Sequence, residues 1–345
     1  MRLLVVIVNY RTADLTIDCL DSLADEMTAL AGQARVVVTD NASGDESVPR
    51  ITQALNERNW DWVTFEPLAH NGGFSYGNNV PIRQDLVSED PADFYLLLNP
   101  DTLVRPGAFT ALLTFMAEHP DVGVAGSLLE FPDGSPQPTL HRAPTPWRAL
   151  DDGARIGVLS RVLGNRCFPI IAENGTQPCE WVSGASMMVR RQVFEQVGLL
   201  DEGYFLYFDE VDFCMRVQQA GWKIFCVVES RVMHLEGVST GIGEARKRRA
   251  RYWYESRRRF LLKFYGIKGL IMADTLWFAG KMLSVVRRMG WPLGDPTHFV
   301  RDLIGGDLRA LSNGEARSLA YGGEAAVEGT DVAERTRPEQ SQANL

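Results

Sequence analysis

Asp93–Val104 reads DFYLLLNPDTLV, and the fold turns on how it is read. Five apolar residues, Phe94–Leu98, match a short buried strand and end abruptly in Asn99-Pro100-Asp101. Pro100 has no N–H and restricts Asn99 to extended backbone, so regular structure stops there. One reading is an ordinary turn, since Asn, Pro and Asp all favour turns. The other is that a buried strand delivers a carboxylate, Asp101, to a fixed place at a sheet edge.

The upstream segments favour the second reading. Leu3–Val8 reads as a strand, and Leu15, Cys19 and Leu23 follow at helical spacing. Arg35–Thr39 is a second strand, Val48–Leu55 a helix, Trp60–Phe65 an alternating third strand and Phe74–Leu86 a helix. Phe94–Leu98 is then the fourth strand. Such order predicts an α/β fold, a mostly parallel central sheet with helices on both faces. Ligands of such sheets bind beyond the carboxyl ends of the strands. The residues there are Asn9-Tyr10, Asp40-Asn41, His70-Asn71-Gly72-Gly73 and Asn99-Pro100-Asp101, all polar or backbone-permissive. Four such endings in a row weaken the turn reading.

With 35 basic and 44 acidic residues in 345, the chain is acidic overall and carries no general nucleic-acid signature. Its five cysteines form no CxxC pair and leave one over, which argues against a disulfide framework or zinc ribbon and for a reducing, cytoplasmic setting. No uninterrupted run of 18 apolar residues predicts a transmembrane helix. The segment 130–178 is rich in Pro, Gly and Arg and reads as a long excursion over the sheet edge. Patterning returns in CEWVSGASMMVRRQVFEQVG, then FDEVDFCMRVQQAGW, KIFCVV and MHLEGVST. An apolar helix is expected at Leu270–Val286, and a patternless tail follows.

NYRTAD after the first strand lacks the glycines of a dinucleotide site, and GxxxxGK[ST] is absent. Asp40 can accept hydrogen bonds from a base or ribose. NGGFSYGNN (Asn71–Asn79) offers glycines for close backbone approach and amides as donors and acceptors. Asp101 is suited to hold a hard divalent ion against a diphosphate. Asp209, Glu210 and Asp212 either serve as favourable charges at a helix start or include a buried carboxylate able to act as a general base. His234, 24 residues after Glu210, is either a structural strand-end histidine or a ligand.

VVIVNYRT, VVTDNASGD, NGGFSYGNN, LLLNPDT, WVSGASMMVRR, YFLYFDEVDFCMRVQQAGW and MHLEGVST, in that order, resemble the inverting family 2 glycosyltransferases of the GT-A fold. The resemblance runs from Met1 to about Gly266 and is nearest to the bacterial rhamnosyltransferase-like branch of cell-envelope polysaccharide synthesis. It implies a domain over 1–266, with a nucleotide-binding half (1–104) and an acceptor and catalytic half (105–266). A helical extension (267–311) and a disordered tail (312–345) complete the expectation.

The resemblance also implies roles. The donor, a nucleotide-diphospho-sugar, would be bound by Asn9, Tyr10, Asp40, Asn41, Asn71, Gly72, Gly73, Asn79, Asn99 and Asp101. Asp101 and His234 would hold Mg²⁺ or Mn²⁺, although Asn99 stands where the family often has the first Asp of Asp-x-Asp. Glu210 matches the catalytic base, but the family's Glu-Asp order is reversed here, which leaves Asp209 as the alternative. Trp181, Gly184 and Arg257 are candidates for the acceptor, a glycan or lipid-diphosphate-linked glycan, or its phosphates. The rival readings are a sugar-nucleotide pyrophosphorylase and an inactive sugar-nucleotide-binding module. A processive synthase would want transmembrane helices and QxxRW, and neither is found. Finally, Arg246–Lys268 holds ten basic residues against one acid, Glu255. Beside the apolar Leu270–Val286 helix this excess predicts peripheral attachment to the cytoplasmic face of the inner membrane.

Overall fold

Leu3–Asn9 forms β1, and both of its faces are covered. Leu3, Val5 and Ile7 point into one core with Cys19, Leu20 and Leu23, while Leu4 and Val6 point into another with Ile82, Tyr95 and Phe213. A strand buried on both faces needs an unbroken apolar run, which explains LLVVIV. The structure is a computed structural model describing residues 1–30, 32–154, 172, 175–235, 248–288, 298–312 and 314–321.

The first half follows the β/α alternation closely: α1 (Ala13–Ala29), β2 (Ala34–Asp40), α2 (Ser47–Arg58), β3 (Val63–Pro67), α3 (Gly73–Leu86) and β4 (Phe94–Leu98). β3 starts three residues later than expected. Asn59 ends α2 in the left-handed conformation (φ 51°), so Trp60 and Trp62 are spent in the turn, their rings 5.6 Å apart. The second half contains β5 (Thr102–Val104), α4 (Ala108–Glu118), β6 (Val122–Glu130), α5 (Arg148–Ala154), β7 (Gln177–Pro178), β8 (Ser186–Arg190), α6 (Arg191–Val197), α7 (Asp209–Gln219) and β9 (Lys223–His234).

One sheet joins them in the order β3-β2-β1-β4-β8-β6-β9-β5, with β7 on β9. β3, β2, β1 and β4 are parallel, and so are β6 and β9; β8 pairs antiparallel with both β4 and β6, as do β5 and β7 with β9. The parallel expectation therefore fits the first four strands, and the sheet as a whole is mixed. The chain leaves β1 toward β2 and β3, then returns to β4 on the other side of β1. That reversal opens a crevice at the carboxyl ends of β1 and β4, where open α/β sheets bind ligands.

A helical extension follows: α8 (Arg251–Arg288), α9 (Phe299–Ser312) and α10 (Glu315–Tyr321). α8 kinks at Gly266 (φ 64°, ψ −172°). Tyr254, Phe260 and Leu262 of its first arm and Leu270, Ala273 and Trp277 of its second share a core with Leu303, Ala310 and Ala316. The chain past Ser312, expected to lack structure, thus contributes one more short helix; residues 322–345 lie outside the described residues.

The basic stretch has internal partners. Arg248 pairs with Asp302 (2.8 Å), Arg257 with Asp274 (2.9 Å), Arg258 with Asp307 (2.6 Å) and Arg259 with Asp201 (2.8 Å). Lys263 reaches both Asp201 (2.9 Å) and Asp212 (2.7 Å). The acids are distant in sequence, so much of the local charge excess is met within the fold, although exposed Lys268 is not among these pairs. For Arg248, Arg257, Arg258, Arg259 and Lys263 this corrects the expectation of an external anion; Arg246 and Lys247 lie outside the described residues. By length and composition alone, Arg251–Val286 could cross a membrane. Yet its first arm is threaded through these acids, and its second packs on α5 so tightly that a Cβ on Gly280 would run into the Leu150 carbonyl.

Asp274 makes the extension pH-sensitive. Burial pushes its pKa up to about 7, against the pull of Arg257 and with the help of Asp307's charge. A folded-state pKa above the unfolded value favours folding when the group is protonated, so that stability is fully present below pH ~4 and is lost as pH rises through ~7. We expect the thermal midpoint to fall from pH 5 to 8 by less in Asp274→Asn than in the wild type; equal slopes would contradict the assignment.

Candidate active site

β1 and β2 end side by side, Asn9 opposite Asp40. Asn9 donates to Asp40 Oδ1 (2.6 Å) and Ser43 Oγ (3.3 Å), while its Oδ1 accepts from the Thr12 amide (3.3 Å) and the Thr12 and Thr16 hydroxyls (3.1 and 2.9 Å). Its amide is fully spent inside the protein, so Asn9 shapes the loop rather than facing a donor. Asp40 also accepts from the Ser43 hydroxyl (2.6 Å) and amide (3.0 Å), retaining acceptor capacity on Oδ2. Tyr10 stands exposed at the edge, under Arg11.

The glycine loop is clamped from below. Asn41 donates to the Gly73 carbonyl (2.9 Å) and accepts from the Gly72 amide (3.3 Å), and Asn71 accepts from the Gly73 amide (3.0 Å). Gly73 has φ 86°, and a Cβ there would fall into the Phe205 carbonyl, which accepts from the Phe74 amide at 2.9 Å. Only glycine meets both demands. Asn79, expected at the donor, instead bridges the two halves: it donates to the Leu200 carbonyl and Glu202 (both 2.9 Å) and accepts from the Leu200 amide (3.2 Å).

The turn at Asn99-Pro100-Asp101 leads into β5, whose register places Thr102 opposite His234 at the end of β9. The Leu235 amide donates to the Asp101 carbonyl (3.0 Å), and His234 Nε2 lies 3.4 Å from Asp101 Oδ1. Both side chains are nearly buried, and His234 Nδ1 has no hydrogen-bond partner. A carboxylate and an imidazole this close suit a divalent ion. No cluster of three or more His, Cys, Asp or Glu ligands occurs among the described residues, so the rest of the shell would come from phosphate and water.

Asp209 and Glu210 open α7, after Tyr207 and Phe208, both at positive φ (69° and 66°). Two such residues in a row are uncommon outside glycine and aim the helix start sharply. Asp209 is buried and accepts from Ser75 Oγ of α3 (3.3 Å). Glu210 Oε2 is buried without a hydrogen-bond partner. Burial raises the pKa of Asp209; burial, then the Asp209 charge, pushes Glu210 well above the ordinary carboxylate range. Asp212 is structural, held by Arg216 (2.7 Å), Lys263 (2.7 Å) and the Tyr204 hydroxyl (3.2 Å).

One short segment links the acid pair to the edge that carries Asp101 and His234. The Ala185 carbonyl accepts from the Asn99 amide (3.1 Å), while the Cα of Gly184 faces Phe74 and Glu210. Just upstream, Trp181 stacks on His141 with ring centroids 3.9 Å apart. Arg257, like Asn9 and Asn79, is turned to internal partners: it is spent on Asp274 and Asp307 in the extension.

Residues 2–255 match the family described as "Glycosyltransferase like family 2". The chain belongs to that family. It is 31% identical, over 234 residues, to N-acetylglucosaminyl-diphospho-decaprenol L-rhamnosyltransferase of Mycobacterium tuberculosis, covering 64% of this chain and 72% of that one. It is 28% identical over 223 residues to the low-salt glycan biosynthesis hexosyltransferase Agl10 of Haloferax volcanii, covering 64% and 62%. Among solved structures it resembles GalNAc-T7 with UDP, GalNAc and Mn²⁺ (TM-score 0.56, 14% identity), covering 92% of this chain and 57% of that one. A second is the mannosyltransferase PcManGT of Pyrobaculum calidifontis with GDP-Man and Mn²⁺ (TM-score 0.52, 13% identity), covering 92% and 80%. The fold is that of GT-A glycosyltransferases, and this chain is a rhamnosyltransferase-like glycosyltransferase of family 2.

In this glycosyltransferase Gly73 packs the glycine loop against the segment that leads into Asp209 and Glu210. Gly73→Ala should destabilise the fold by more than about 1 kcal/mol, the least cost of a side chain where φ is positive, and should impair transfer beyond the loss of folded protein. Calorimetry with a specific-activity assay checks this; unchanged stability and activity would contradict the clamp.

Proposed function

We propose that this enzyme transfers a sugar, rhamnose among the candidates, from a nucleotide-diphospho-sugar to a glycan or lipid-diphosphate-linked acceptor, with inversion and with Mg²⁺ or Mn²⁺. The observation that carries the reading is the approach of Asp101 and His234, with the half-buried Glu210, its Oε2 fully covered, one short segment away. Asp40 and the backbone of Gly72-Gly73 bind the nucleotide, with Tyr10 and Asn99 at the rim. Asp101 and His234 would hold the ion, which supplies positive charge against the departing diphosphate.

Glu210 takes the proton from the acceptor hydroxyl as that oxygen attacks the anomeric carbon. Its raised pKa makes it the stronger base of the pair, and Asp209, tied to Ser75, keeps that basicity high. Trp181 on His141 offers a flat aromatic face to the acceptor. The acceptor chemistry is drawn from the mycobacterial relative, whose name specifies a diphospho-decaprenol substrate. Such an acceptor places the work at the cytoplasmic face of the inner membrane, where polysaccharide units are assembled on lipid.

Glu210→Gln should keep the fold and donor binding yet lose transfer by roughly 10²–10⁴-fold. A base must be deprotonated, so wild-type activity should fall on acidification through a pKa above the usual carboxylate range. Asp209→Asn removes the neighbouring charge and should move that acid limb to lower pH. An active Glu210→Gln beside a dead Asp209→Asn would hand the role to Asp209. Nucleoside diphosphate release from UDP-, dTDP- and GDP-sugars is the readout, and no release from any of them would favour an inactive binding module.

Asp101→Ala should abolish Mn²⁺-dependent binding of the donor's nucleoside diphosphate in calorimetry, and His234→Ala should weaken it less, because water can replace one ligand. Binding and turnover that survive excess chelator would rule out the metal role of both.

A further inference from the structure

The second arm of α8 carries its charges inside and its apolar side chains outside. Between Gly269 and Val286 the charged residues are Asp274, paired with Arg257, and Lys281, which is 1% exposed. Facing away from α5 are Ile271 (50% exposed), Phe278 (44%), Met282 (42%), Leu283 (52%) and Val286 (73%). Thr275 and Ala279 complete that exposed side. A helix on the surface of a soluble protein shows the opposite pattern. The ridge runs about 22 Å at 1.5 Å per residue, too long for scattered surface apolar residues.

From this geometry we infer that the ridge is a membrane-docking face, seated in the headgroup region of an anionic bilayer with the helix lying along the surface. It rests on the lipid-linked-acceptor reading for its purpose and on the helix alone for its geometry. The opposite side of the arm, Leu270, Ala273 and Trp277, is buried in protein, so lipid cannot surround the helix.

Charge selects lipid over a second copy of the chain. The ridge is basic at both ends: exposed Lys268 precedes it, and Arg287-Arg288 follow in the sequence. Any two-fold pairing of this ridge with itself, parallel or antiparallel, sets basic end against basic end, which disfavours association. Anionic headgroups at both ends, with acyl chains beneath the ridge, satisfy all of it. Trp147, 63% exposed, leads into α5, the helix packed against this arm.

The test is co-sedimentation of the full chain with phosphatidylcholine vesicles, with and without phosphatidylglycerol, at low and high salt. Wild-type protein should pellet with the anionic vesicles at low salt and be released at high salt. The double variant Phe278→Ser, Met282→Ser should partition on the order of tenfold less, since two apolar side chains no longer enter the bilayer. Because both residues are exposed, its thermal midpoint and its release of nucleoside diphosphate from a soluble donor should stay at wild-type levels. That second readout separates this claim from the catalytic one, which fails only if turnover is absent. Wild-type protein that ignores anionic vesicles at low salt would overturn the docking face. So would a wild-type dimer in light scattering that the double variant breaks, since the ridge would then belong to a second copy.

Discussion

The two halves of this glycosyltransferase are fastened where α3 begins. The Phe74 amide donates to the Phe205 carbonyl, Ser75 to Asp209, and Asn79 grips Leu200. The approach is close enough that residue 73 can carry no side chain. Glycine loop and acid pair are therefore two ends of one packed unit, and a displacement of either moves the other. Catalysis by positioning depends on such rigidity, because misplacement by about 1 Å can cost two orders of magnitude in rate.

The acid pair shows what that rigidity allows. Two adjacent carboxylates in a desolvated site do not both ionise cheaply: burial raises both, and the charge on Asp209 further raises the proton affinity of Glu210. Ser75 stabilises the charge on Asp209, which leaves Glu210, with one oxygen lacking any partner, as the group able to accept a proton. The third acid, Asp212, is neutralised by Arg216 and Lys263 and stays out of the chemistry.

Much of this was legible in the sequence, for specific reasons. Phe94–Leu98 and Leu3–Val8 are apolar because both sheet faces are covered, so their polar endings marked the candidate ligand edge. The meeting of Asp101 with His234 was not derivable from spacing: it depends on β5, three residues long, pairing with a strand 130 positions away. Asn9 and Asn79 were legible as polar but not as spent, since a sequence does not say which groups an amide bonds. The basic run misled for the same reason, its acids arriving from Asp201, Asp274, Asp302 and Asp307. The apolar character of Leu270–Val286 was legible, but not which of its residues stay exposed: Leu270 and Trp277 are buried while Phe278, Met282, Leu283 and Val286 are not.

In the proposed single displacement Glu210 activates the acceptor and no residue attacks the sugar. Proton NMR of the transferred sugar, followed from the start of the reaction, tests it directly through the anomeric coupling and shift. For a single displacement the first-formed product has the anomeric configuration opposite to the donor's. Retention of the donor's configuration would contradict it, since that outcome requires a different chemical course at the anomeric carbon.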